Sequence, residues 1–272
     1  MKVLVSTDIE GVAGVFHAEQ TRAGNAEHER ARLLMAQEAN AAIAGAFDAG
    51  ATDVLVNDSH GNFRNMPPDE LDARARVVQG KPRYLGMVAG VEEGVDAVLM
   101  IGYHSRARGR GILAHTINSL AFARVAFNDL ELGEAGIYGA LAGERGAPVA
   151  MASGDDAFIE ENRTLFPHAT FVQTKRATGH TSGVSLSPAQ SREAIRAGAA
   201  AALRRLGDAQ RFTLACPVAV RLQTQTPAFA DLFCQWPAMR RLSGDEVAFD
   251  APTVEAAVRM LNSLSAMSAS LR

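Results

Sequence analysis

Three short apolar runs, each breaking off into residues that bind metals or move protons, constrain this chain more than any other feature. Residues 2–7 lead into Asp8-Ile9-Glu10-Gly11, residues 52–57 into Asp58-Ser59-His60-Gly61, and residues 96–102 into Tyr103-His104. Brief β-branched apolar runs suit strands covered on both faces, as in a parallel sheet. In open parallel sheets ligands bind outside the carboxyl ends of the strands, so neighbouring strands of this kind bring Asp8, Glu10, His60 and His104 together. Asp8 and Glu10 are two residues apart, and an extended backbone puts both on one face.

The rest of the chain alternates in the same way. A helix is predicted over 25–49, with Ala36, Asn40, Ile43 and Phe47 on one face and Gly50 as its cap. Strands are predicted over 124–128, 148–152 and 170–173, and helices over 134–144 and 155–165. Ser187-Pro188-Ala189-Gln190 reads as a helix start, with Ser as cap and Gln closing a capping box, and the helix runs to about 206. Beyond it, 213–222 and 246–249 read as strands, and a last helix starts near 252. The expected fold is α/β, a largely parallel or mixed sheet flanked by helices, with a smaller C-terminal α+β domain. The expected division is a catalytic domain over 1–209 and the small domain over 210–272.

Composition removes several function classes. With 27 Lys and Arg against 30 Asp and Glu and no basic block, nucleic acid and anionic membranes are poor partners. The two cysteines, Cys216 and Cys234, make neither a disulfide framework nor a zinc knuckle. The first apolar run is too short for a signal peptide and no run suits a membrane span, so the expectation is a cytoplasmic protein. Neither a phosphate-cradling Gly-x-x-x-x-Gly-Lys loop nor a Gly-x-Ser-x-Gly elbow occurs.

Carboxylates as close as Asp8 and Glu10 repel unless a cation or a proton lies between them. With imidazoles nearby a cation is the simpler solution, and mixed His and carboxylate ligation suits zinc better than magnesium or calcium. Taken singly, Asp8 and Glu10 fit an acidic turn and His60 a loop residue; their coincidence with His104 at strand ends carries the metal reading. Glu134 opens a helix, where a carboxylate also complements the dipole. His115 follows Arg106-Ala107-Arg108-Gly109-Arg110-Gly111, a stretch that reads as a mobile loop near an anionic group or as a solvated loop. Asn57 and Asp58 are candidates to orient His60 or a substrate amine, and Asn57 equally to satisfy buried backbone. His17, His28, His168 and His180 lack a strand-end context and read as surface or structural.

Ser6-Thr7-Asp8-Ile9-Glu10-Gly11-Val12, Val54-Leu55-Val56-Asn57-Asp58-Ser59-His60, Gly102-Tyr103-His104-Ser105-Arg106-Ala107, His115 and Gly133-Glu134 together resemble the DppA-type D-aminopeptidases, as do Glu38-Ala39-Asn40 and Ser153-Gly154-Asp155-Asp156. The resemblance runs through most of the first 190 residues. It implies a site for two zinc ions, with Asp8 bridging and Glu10, His60, His104 and Glu134 as further ligands, and with His115 as the catalytic histidine. It also implies release of N-terminal D-amino acids from short peptides by a metal-bound hydroxide, and a ring-stacked homodecamer. Charge agrees: three carboxylates against two Zn²⁺ leave room for one hydroxide. His115 is assigned to proton transfer or transition-state stabilisation, with a nucleophilic role left open.

Two rivals remain at this point. Asp8-Ile9-Glu10-Gly11 resembles the opening motif of haloacid-dehalogenase phosphatases, with Asp8 as nucleophile, Mg²⁺ as cofactor and Asp155-Asp156 as the later acidic motif. Position 10 is Glu where that family has Asp, and the histidines are left without a task. The other rival is a non-catalytic zinc site on an assembly protein, although closed structural sites favour Cys and His over carboxylates.

Overall fold

A computed structural model describes residues 1–271. The chain runs through β1 (Lys2–Thr7), α1 (Ala26–Asp48), β2 (Asp53–Asp58), β3 (Arg76–Val78), β4 (Ala97–Ile101), β5 (Phe122–Phe127), β6 (Leu130–Glu131) and α2 (Glu134–Glu144). It continues through β7 (Val149–Asp155), α3 (Asp156–Asn162), β8 (Thr170–Gly179), β9 (Ser182–Ser185), α4 (Pro188–Arg204), β10 (Val218–Thr224), α5 (Pro227–Phe233), β11 (Arg240–Arg241), β12 (Glu246–Ala251) and α6 (Val254–Met267).

Seven strands form one sheet in the order β3-β2-β1-β4-β7-β8-β9. All pair in parallel except the last, where β9 turns back along β8. This is the expected α/β sheet. Alternation along each strand divides the core in two. Val3, Val5, Val54, Val56 and Leu99 face α1 and α4. Leu4, Leu55, Val98 and Met100 face the other way, into a core shared with α2 and α6.

That second core is roofed by a five-stranded antiparallel sheet, β11-β12-β10-β5-β6. The second layer therefore draws on both sides of residue 209: β5 and β6 pair with strands of the C-terminal segment, and the expected division at 209/210 is not a division of the sheets. α6 joins this core through Val254, Ala257, Val258, Leu261 and Leu264, a helical spacing that presents one apolar stripe.

Several local expectations shift. In α1 the expected Ala36 and Ile43 are buried, together with Ala31, Met35, Ala39, Ala42 and Ala46, whereas Asn40 and Phe47 are only half-buried. The strand expected over 213–222 begins only at Val218, after Pro217, which cannot donate to a ladder. The strand expected over 170–173 extends to Gly179 and folds back as a hairpin. α4 has the expected capping box between Ser187 and Gln190.

Candidate metal centre

The sheet order reverses between β1 and β4: β2 and β3 lie on one side, β4, β7 and β8 on the other. The carboxyl ends of β1, β2 and β4 are level, since Thr7 registers with both Asp58 and Ile101. A crevice at such a switch point is where doubly wound sheets bind ligands. The backbones come very close here. Gly11 N–H donates to Gly102 O at 2.7 Å, and a Cβ at Gly11 would lie 2.0 Å from Tyr103 O. Only glycine fits, which is how Asp8 and Glu10 are laid directly against the strand that carries His104.

Asp8 sits at the centre of the cluster. Its Oδ1 lies 3.2 Å from His60 Nδ1, which is also 3.1 Å from Glu10 Oε2. Its Oδ2 lies 3.3 Å from His104 Nε2, which is 3.5 Å from Glu134 Oε1. Asp8, Glu10, His104 and Glu134 are buried, and the His60 side chain is 12% exposed. Glu134 stands at the first turn of α2, and its Oε1 accepts from Ile117 N–H at 2.6 Å. All five side chains of the predicted ligand set are thus within one cluster.

The histidines share one device. His60 Nε2 lies 2.8 Å from Thr21 O, His104 Nδ1 lies 2.9 Å from Ser105 O, and His115 Nδ1 lies 2.9 Å from Leu113 O. A carbonyl can only accept, so each of these nitrogens carries the proton. The other nitrogen of each ring is left to face carboxylates: Asp8 and Glu10 for His60, Asp8 and Glu134 for His104, and Glu134 at 3.7 Å for His115. This is how proteins fix the tautomer of a metal-binding imidazole.

The electrostatics without an ion are strained. Burial, with the Glu10 charge next, pushes the Asp8 carboxyl up. Burial alone would do the same to Glu10 and Glu134, but His60 beside the first and His104 beside the second outweigh it and hold both down. Burial opposes a charged ring at His60 and His104, yet the surrounding carboxylates hold both well above the ordinary histidine range. Glu10 Oε2 and His104 Nε2 are buried and lack a hydrogen-bond partner. Orphaned ligand-type atoms at the meeting point of three carboxylates and two imidazoles fit divalent cations.

His115 stacks on His104, with ring centroids 4.2 Å apart and planes 12° from parallel. Its side chain is 22% exposed against 1% for His104, so it forms the open edge of the cluster. Its loop is strained: Leu113 has φ 56° and Ile117, a β-branched residue, φ 60°.

The remaining sequence candidates resolve differently. Neither Asn57 nor Asp58 hydrogen-bonds to the His60 ring among the described residues. Asn57 donates to Ala89 O and accepts from Arg83, while Asp58 accepts from the backbone of Asn65 and Met66. Arg106 is not in a free loop, because it is paired with Glu161 and Glu131; only Arg108 and Arg110 are exposed. Asp155 spends Oδ1 on Phe158 N–H and Oδ2 on Ile112 N–H, and Asp156 accepts from Ala177 N–H, so the acidic motif of the phosphatase reading is structural. His17, His168 and His180 are exposed and His28 is buried in α1. No residue type could have announced the carbonyls of Thr21, Ser105 and Leu113, since any residue supplies a carbonyl.

Residues 1–263 match the model of a peptidase family described as D-aminopeptidase. The chain belongs to this D-aminopeptidase family. A D-aminopeptidase of Bacillus subtilis (strain 168) is 35% identical over 191 residues, covering 70% of this chain and 69% of that protein. The solved structure of the Zn-dependent D-aminopeptidase DppA from Bacillus subtilis, a self-compartmentalizing protease, superposes with a TM-score of 0.95 at 28% identity, covering 99% of this chain and 98% of that one. The D-aminopeptidase family places this chain among the peptidases that act at amino termini. Among the described residues, no helix is long and apolar enough to cross a membrane.

Proposed function

We propose that this chain is a zinc-dependent aminopeptidase that releases N-terminal D-amino acids from short peptides at a two-zinc site. One observation carries the reading: the two oxygens of Asp8 face two different half-sites, Glu10 with His60 on one side and His104 with Glu134 on the other. In this reading Asp8 would offer one oxygen to each half-site, and His115 would not serve as a ligand. Bound zinc would supply Lewis acidity toward the scissile carbonyl and a water activated at neutral pH.

The chain's own groups do the rest. Asp8, Glu10 and Glu134 balance most of the charge of two divalent ions and leave a net positive centre. His115 Nε2, whose partner nitrogen is fixed on Leu113 O, is free to take a proton at the open edge and return it to the leaving amine. The family and the zinc dependence named for the Bacillus subtilis structure support the metal and the D configuration. The self-compartmentalizing assembly named there supports a homo-oligomer, which we take to be the ring-stacked decamer of the family, admitting small peptides.

The test is hydrolysis of paired D- and L-aminoacyl amides by zinc-loaded and chelated protein, with His115→Ala alongside. Turnover is expected with zinc only and with the D series preferred. His115→Ala is expected to keep its zinc and lose about 10²-fold or more in kcat. Loss of zinc in that variant would make His115 a ligand, and no hydrolysis by fully loaded protein would overturn the peptidase reading.

A further inference from the structure

Lys175, in the middle of β8, is 3% exposed. A buried ammonium is costly unless something holds it. Its Nζ donates to two carbonyls, Glu10 O and Val15 O, at the two ends of the turn that follows β1. Beside it, the Thr174 hydroxyl lies 2.6 Å from Gly11 O. The charges facing Lys175 are Asp155, Glu38 and Glu10. None of them makes a side-chain salt bridge with it among the described residues.

The rest of the turn from Glu10 to Val15 is tied elsewhere: Gly11 N–H donates to Gly102 O, Val12 N–H to Ile9 O and Gln20 Nε2 to Gly14 O. Ala13 N–H donates to Glu38 and Gly14 N–H to Ser185. The carbonyl of Glu10 itself is held by Lys175. The carboxylate of that residue reaches 3.1 Å from His60 Nδ1, whereas His104 is paired with Asp8 and Glu134, so a shift of the Glu10 backbone acts first on the Glu10 half of the cluster.

We propose that Lys175, assisted by Thr174, is a positioning residue that locks the Glu10 turn and thereby sets the zinc affinity of the Glu10–His60 half-site. This rests on the two-zinc reading above. Groups that orient metal ligands are typically worth about 10–100-fold in affinity.

The experiment is titration of the metal-free full-length protein with zinc against a competing chelator, for wild type, Lys175→Met and Thr174→Val. Lys175→Met is expected to weaken one of the two ions by about 10–100-fold and leave the other within about threefold. Thr174→Val, nearly isosteric and uncharged, is expected to weaken the same ion by less, and carries the test if the Met variant does not fold. In a Glu10→Ala background, Lys175→Met is expected to change nothing further, because both act on one half-site. Wild type that takes up no second zinc would defeat the two-zinc reading. Wild type with two ions and variants that bind both as tightly, or lose both equally, would overturn the role of Lys175.

Discussion

At the scale of single residues, the site is a problem of buried charge solved by pairing. Asp8, Glu10 and Glu134 are tolerable in the interior because His60 and His104 face them, and each imidazole is aimed by a backbone carbonyl. Glu38 shows the unsolved case. It is 2% exposed, with Oε1 accepting from Ala13 N–H and Ser191 Oγ–H, while Oε2 has no partner. Burial raises its pKa above the ordinary glutamate range in spite of those bonds. The sign follows by linkage: the unfolded chain loses this proton first, so Glu38 costs stability progressively as pH rises from near 4.5 through its folded value. Glu38→Gln keeps the acceptor and cannot ionise. Its Tm is expected to match wild type near pH 4 and exceed it at pH 8, by thermal unfolding of metal-free protein; a deficit that grows with pH would contradict the account.

At the scale of elements, the strand ends were legible because chemistry and pattern coincided. A buried parallel strand is a short apolar run, and the first polar residues after it stand at the binding edge, so Asp8, Glu10, His60 and His104 could be grouped before any fold was known. Glu134 and His115 were not reachable in that way; the dipole argument explains a carboxylate at the start of α2 but not its approach to His104. Lys175 was missed because the expected strand stopped at residue 173, and a lysine in a half-exposed hairpin gives no signal of burial. The meeting of the β1 and β4 ends depends on Gly11, so Gly11→Ala is expected to push the two turns apart. Overpacking of this kind costs about 1–3 kcal/mol, and denaturant titration is expected to show at least that loss, together with weaker zinc uptake. An unchanged midpoint and full zinc binding would mean that the close approach to Tyr103 is not needed.

At the scale of the whole molecule, the sheet order decides where function can sit. β1 lies between β2 and β4, and the reversal there opens one crevice, filled by the ligand-type cluster. The second sheet and α6 roof the opposite core and deliver α2, with Glu134 at its tip, to that crevice. Periodicity in the C-terminal residues showed strands and a helix, but not that β5 and β6 would join their sheet, because antiparallel partners far apart in sequence leave no local trace. The measurement that tests the central claim most directly is anomalous diffraction at the zinc edge from crystals of the zinc-loaded chain. Two peaks about 3.5–4 Å apart are expected, on either side of the Asp8 carboxylate, one against Glu10 and His60 and the other against His104 and Glu134. A single peak, or zinc bound away from Asp8, would contradict the account.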